Sequence, residues 1–338
     1  MELHGRGTAI YQSYERRPGA SSDGEMTTSP VAAGLVRAAG ARHVPDMTNT
    51  TEKRAAETGL SAMGEIARRS DPDRFFCTLF LPASVREDAF TLIAFNHESV
   101  RALSGMHSRS VAGPMAGLIR LQWWREIVEG ASHPHEVADP LRALIRAGRV
   151  RRDTLLGILD AREAELEGLP DWAAWRAAMR AGAGGVQAAI AQVAGTGTTD
   201  PDLLRAVEFL GAAYGVGGLL RHMGAVLAGG RCPLPEPALQ EFGLSGESIR
   251  DGAGIQGADL TPLRARLRDE GREFLAQAGM QVAAGAGRVR LPRAVRAAGL
   301  PGALARRDLG RGHDREVGAA RGLGDRLAVM AAMARGRI

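Results

Sequence analysis

From residue 71 onward, apolar residues recur at three- and four-residue intervals, the spacing that puts side chains on one face of an α-helix. Asp71-Pro72-Asp73 is a helix-start signature, an acid and a proline where a first turn tolerates both. Phe75, Phe76, Leu79 and Phe80 then form an apolar stripe that Pro82 ends. Ser84 with Glu87 three residues on reads as a capping box, opening a helix over 85–104 whose apolar positions include Val85, Ala89, Leu92, Ile93, Phe95 and Val100. Further helical patterns cover 114–129, 136–147, 151–167, 172–180, 184–193, 201–228 and 262–277, then 292–298, 303–309 and 326–335. A proline-rich passage, 231–237, follows the 201–228 helix. No segment alternates with the period of a strand and no fixed repeat is present. The pattern predicts an all-α fold, a single helical domain over 67–338.

Residues 1–66 differ. Runs such as Gly19-Ala20-Ser21-Ser22-Asp23-Gly24 and Thr48-Asn49-Thr50-Thr51 are polar and turn-rich, and no periodicity persists. A disordered leader is expected, with one short helix near 31–39; Met26, Met47 and Met63 are alternative starts.

Composition supports helices: aromatic residues are only 4% of a chain that is 45% apolar, and aromatic and β-branched residues are what strands prefer. The net charge of +5 comes almost wholly from arginine. Such a balance suits nucleic acid, anionic lipid or phosphorylated substrates, but no basic stretch is interleaved with aromatics as a single-strand binder needs, so no nucleic-acid partner is expected. Cys77 and Cys232 form neither a C-x-x-C pair nor a zinc spacing, which fits a reducing, cytoplasmic setting. The longest uncharged apolar run, 209–220, is about half the ~20 residues that span a bilayer.

Three segments carry a family resemblance. They are Arg74-Phe75-Phe76-Cys77-Thr78-Leu79-Phe80-Leu81-Pro82 followed by Ala94-Phe95, then Leu121-Gln122-Trp123-Trp124-Arg125-Glu126, then Tyr214-Gly215 through Leu219-Leu220-Arg221 with Gly230-Arg231 and Leu234-Pro235. In order and spacing they resemble the squalene and phytoene synthases. The resemblance implies the isoprenoid-synthase bundle with a central cavity, here between the 85–104 and 205–228 helices. It also implies Mg²⁺ held by aspartates at i and i+4 on two facing helices, because a diphosphate leaving group of about three negative charges must be neutralised. On this alignment the first acidic motif falls on Val100, Arg101 and Ser104 and the second on His222 and Val226, none a carboxylate. Asp71-Pro72-Asp73-Arg74 stands where the family has a phosphate-holding Ser-x-Ser-Phe, and acids there would repel a diphosphate. Asp71–Arg74, Ala94-Phe95-Asn96 and the Leu121–Glu126 block are closer to a degenerate branch that includes a mitochondrial assembly factor for respiratory complex I and its bacterial relatives. That branch implies a non-catalytic role: binding an isoprenoid or other lipid-like ligand, or a membrane-associated protein partner, at the cytoplasmic face of the inner membrane, with no cofactor. The ligand-binding residues so implied are Asn96, Gln122, Tyr214, Arg221, His222 and Arg231.

Two other readings are open. Asp160, Glu163 and Glu167 share a helix face and Glu126 with Glu129 form a second acidic pair; an active prenyltransferase with a relocated Mg²⁺ site needs Asp160 and Glu163 to point into the cavity with His222, and an inward Arg162 would weaken it. A purely structural module would have no internal pocket of ligand size. His133-Pro134-His135 reads as a loop rather than a metal site, and Trp123 and Trp124 as packing residues, with Trp124-Arg125 as an alternative membrane-facing edge.

Overall fold

Short polar side chains set the first helix starts. Ser61 caps α1 (Ala62–Ser70) by accepting from the Gly64 N–H, and Asp71 caps α2 (Pro72–Thr78) by accepting from the Arg74 N–H, with Pro72 in the first turn where no donor is needed. The computed structural model describes residues 59–103, 112–195, 200–250, 259–286, 292–310 and 321–335, all within one folded unit. After α2 come α3 (Ala83–Arg101), α4 (Ala112–Glu129), α5 (Ala138–Arg146), α6 (Arg152–Glu167) and α7 (Trp172–Met179). A π-helical turn, Arg180–Gly184, leads directly into α8 (Gly185–Val193). Then follow α9 (Pro201–Ala228), the short α10 (Glu236–Gln240) and α11 (Gly246–Arg250), α12 (Thr261–Ala286), α13 (Arg293–Gly299), α14 (Pro301–Gly310) and α15 (Leu323–Arg335). The fold is all-α; among the described residues the one β-type pairing is an isolated bridge between Leu169 and Pro235.

Several local expectations change. α1 begins at Ala62, inside the segment read as leader; the short helix expected at 31–39 lies outside the described residues. The capping box at Ser84 does not form. Pro82, with φ fixed by its ring, is the N-cap and starts α3 early enough to place Ser84 within the first turn. The Glu87 carboxylate instead accepts from the Ser61 hydroxyl at 2.8 Å, tying α3 to the start of α1. α5 starts at Ala138 rather than 136, because the His135 imidazole accepts the Val137 N–H and holds the chain in a loop. α12 runs on to Ala286.

Two large apolar cores result, with a smaller one where α8, α9 and α13 meet. One gathers α1, α3, α4, α5, α6 and α8 around Phe95, Leu121 and Trp124, with the Phe95 and Trp124 rings edge to face. The other gathers α7, α9, α12, α14 and α15 around Trp175, Phe209 and Phe274. A side chain as sealed as Phe95, 0% exposed, contributes ~1.5–3 kcal/mol by leaving water. α9 is the axis, packed by the π turn, α8, α12 and α14. Its apolar window is long enough for a bilayer, but 78% of it is buried inside the protein, as in a core helix. Glycines make the closest approach: a Cβ on Gly215 would lie 2.5 Å from the Ala183 Cβ, and one on Gly184 2.7 Å from the Glu208 carbonyl oxygen. Gly211 and Gly215 of α9 therefore admit the π turn, whereas Gly218 and Gly224 have open space beside them.

Candidate functional site

A cavity of about 600 Å³ opens beside α9. Tyr214, Gly218, Arg221 and His222 line it from α9; Asp71, Asp73 and Phe76 from the start of α2; Leu304 from α14; and Arg321, Arg326 and Val329 from the α15 end of the chain. The wall facing α9 is thus α2, α14 and α15. The 85–104 helix, expected to be that wall, supplies none of the lining residues of this cavity. The reason is packing: α8 contacts both α3 and α9 and stands between them.

Most of the cavity's charges are paired, and Arg326 lies over the Phe76 ring. Asp71 does three things at once: it caps α2 by accepting from the Arg74 N–H, binds the Arg74 guanidinium and accepts from the Tyr214 hydroxyl, each at 2.9 Å. Arg74 is saturated. Its Nε donates to Gln187 Oε1, its Nη2 to the Ala183 carbonyl of the π turn, and its guanidinium lies 4.7 Å over the Tyr214 ring. A π turn displaces a carbonyl from the regular helical ladder, and here a buried arginine takes it. Burial, with the Asp71 and Asp73 charges, pushes the Tyr214 phenol well above its usual pKa, and burial does the same to the Cys77 thiol, so both stay protonated. Arg321 reaches Asp73 at 2.6 Å and holds Asp308 by two bonds of 2.9 and 2.7 Å. Burial pulls its pKa down, but those carboxylates outweigh it and hold it above the ordinary arginine value. Arg221 lies 3.8 Å from Asp73. The acids of Asp71-Pro72-Asp73 therefore do not stand as free negative charge at the mouth; arginines of the same chain neutralise them.

Of the sequence-derived candidates, Tyr214, Arg221 and His222 meet in this cavity. His222 is exposed, and partial burial followed by the Arg221 charge lowers its pKa. Asn96 and Arg231 belong to a second, interior cluster: Arg231 makes a two-point pair with Glu165 at 2.9 and 2.9 Å, and Asn96 accepts from Arg162 at 2.9 Å. Gln122 donates to Glu126 on the surface. Val100 and Val226 are half-buried, and Arg101 pairs with Glu98 and lies in a surface groove with Trp123 and Trp124. Ser104 lies outside the described residues.

The relocated metal site does not assemble. Asp160 and Glu163 both bind Arg125, at 2.7 and 2.8 Å; Asp160 is 59% exposed, and neither lines the cavity with His222. Glu129 and Glu167 are exposed. Among the described residues no three His, Cys, Asp or Glu side chains are grouped to hold a metal. His133 and His135 pack on Trp123, and Trp124 is buried, so that pair is packing rather than a membrane edge. Sequence reasoning missed Arg162, Glu165 and Arg321 as site residues. Arg162 and Glu165 were within reach, since they share a helix face with the buried Leu155, Ile158, Leu159 and Leu166. Arg321 carries no local signal; only packing brings it to Asp73, 248 residues away in sequence.

The sequence profile of squalene/phytoene synthases matches residues 67–316. The bovine (Bos taurus) protein "NADH dehydrogenase (ubiquinone) complex I, assembly factor 6" is 31% identical over 137 residues, and the human (Homo sapiens) one 30% over 136. The bovine match covers 38% of this chain and 40% of the relative, so the chain spans about two fifths of that protein's length. Two crystal structures share the fold. Squalene synthase HpnC from Alicyclobacillus acidocaldarius has a TM-score of 0.51 at 17% identity, over 81% of this chain and 92% of its own. A dehydrosqualene synthase in complex with ligand has a TM-score of 0.55 at 12% identity, over 85% and 97%. At such identities the likeness establishes the all-helical isoprenoid-synthase architecture and no more.

Proposed function

We propose that this chain, which belongs to the squalene/phytoene synthase family, is a non-catalytic member that binds a lipid-like ligand or a protein partner and does not join prenyl diphosphates. The observation that carries this reading is the pairing of the cavity's cations: Arg321 is taken up by Asp73 and Asp308, and Arg221 lies against Asp73. Ionising an allylic diphosphate requires Mg²⁺ on clustered carboxylate oxygens, to offset about three negative charges. The donor set does not fit that ion. On the register read from the sequence the two acidic motifs fall on Val100, Arg101, Ser104, His222 and Val226, and the acids lining the cavity, Asp71, Asp73 and Asp325, already bind arginines. The direct test incubates the purified protein with farnesyl or geranylgeranyl diphosphate and Mg²⁺. Absence of squalene- or phytoene-type products is expected; steady turnover overturns the proposal.

The names of the relatives support a role in assembling a respiratory complex, with a membrane-associated protein as partner. Support for a peripheral position on the cytoplasmic face of the inner membrane comes from α15. It leaves Leu323, Leu327 and Met330 exposed at 72, 52 and 51% along one face, with exposed Arg326 and Arg335 beside them, the mixture that suits an anionic lipid surface. Mass spectrometry of lipids and proteins that accompany the chain from native membranes tests both points. Recovery from the soluble fraction alone, with neither lipid nor respiratory subunits, sinks them.

A further inference from the structure

Inside the bundle, Arg162 stands in a charged cluster with no ion pair of its own. Arg162 lies on the buried side of α6, and its Nη2 donates to Asn96 Oδ1 at 2.9 Å. Its Nε is buried and has no acceptor. Glu165, the carboxylate whose charge acts on it most strongly, is gripped at both oxygens by Arg231. The other cation acting on it, Arg74, is satisfied by Asp71, Gln187 and the Ala183 carbonyl. Three guanidinium groups thus share two carboxylates. Burial, then repulsion from Arg231 and Arg74, draws the Arg162 pKa down to about 10 against the pull of Glu165, so the group remains charged at neutral pH.

Arg74, one helix away, shows the contrast: its guanidinium meets a carboxylate, an amide oxygen and a carbonyl, where Arg162 meets one amide oxygen. Buried charges are otherwise paired, because an unpaired one is strongly unfavourable. Arg162 also is not sealed in. It, Asn96 and Arg231 are each half-buried, with 22% of the Arg231 side chain accessible. Gly182 of the π turn faces the guanidinium, where even a Cβ would come within 3.3 Å of Nη1. Glycine at that point keeps a side chain from crowding Nη1, and π turns are frequent where a helix is adapted to a site.

We propose that Arg162, with Asn96 and Arg231 beside it, is an oxyanion site that takes the carboxylate or phosphate head group of the ligand. Two N–H groups on one edge of a guanidinium match two oxygens of either group. The site gives the ligand class a polar end: a single acidic head on an apolar body, held without a metal. This rests on the ligand-binding reading above but fails separately from it, because the test uses neither Mg²⁺ nor turnover.

The full chain is melted in Mg²⁺-free chloride buffer against rising inorganic phosphate, pyrophosphate or laurate. A saturable upward shift of several degrees is expected with at least one, and the phosphate and laurate arms tell the two head groups apart. Arg162→Met should abolish the shift and, without anion, melt at or above the wild-type temperature. Arg162→Lys should retain part of the shift, and Arg101→Ala, on an exposed site, all of it. The proposal is overturned if no probe stabilises saturably, if Arg162→Met keeps the shift, or if both Arg162 variants melt several degrees lower without anion, which would make the guanidinium a structural element.

Discussion

Beside the cavity, Arg321 is clasped by Asp73 and Asp308, whereas between α3 and α6 Arg162 holds only an amide oxygen. Both regions are arginine-lined. They differ in where the chain's own carboxylates fall. In the first, α2, α14 and the segment before α15 each bring an acid or a base and the charges close among themselves. In the second, α6 brings a base and an acid one turn apart, and the acid is claimed by Arg231 from beyond α9. Counting arginines therefore says little about anion binding; the unpaired remainder does.

The largest effect that would break this contrast comes from Arg321→Met, which removes the two-point hold on Asp308, 1% exposed, and the shorter of the two arginine contacts of Asp73. Removing one partner of such a buried network should destabilise by ~3–5 kcal/mol, read from urea unfolding. A loss below ~1 kcal/mol would match an exposed pair and would mean that the cavity's charges are screened rather than locked.

Glu165→Gln sharpens the other side. It leaves Arg231 and Arg162 together without a carboxylate, and because Arg231 keeps 22% of its side chain accessible the expected loss is discounted to ~2–3 kcal/mol. Phosphate should then recover more stability in this variant than in wild type, measured by the melting shift. Equal recovery would separate Arg231 from the oxyanion site.

Gly184→Ala acts on the π turn that separates the regions. Its Cβ would meet the Glu208 carbonyl oxygen at 2.7 Å, an overpacking expected to destabilise by ~1–3 kcal/mol in thermal unfolding.

The smallest effect is a pH dependence. Burial lowers the pKa of His97 on α3, so near and below pH 6.5 the unfolded chain binds more protons than the folded one. Stability must then fall on acidification from about pH 7 to 5. His97→Gln should flatten that slope by under ~1 kcal/mol, seen by repeating the urea titration across the window. A steeper slope in the variant would contradict the assignment.

Sequence and structure divide the molecule by range of interaction. The longer helices from α2 onward and the proline-marked start of α2, though not the short α10 and α11, follow from short-range rules: apolar spacing, capping residues and a proline where no donor is needed. Those rules failed at Ser84, where two acceptable starts lay two residues apart and the restricted backbone of Pro82 won. They also placed Tyr214, Arg221 and His222 on one stretch of α9, where the cavity has them. The tertiary structure alone decided which helices face α9, because α8 and the π turn enter where glycines allow close approach. It alone decided which charges cancel, since the acids and bases that meet at Arg321 and Arg231 come from segments remote in sequence. Spacing along a chain fixes which face a side chain occupies; Coulomb pairing inside a bundle depends on distances that only packing sets.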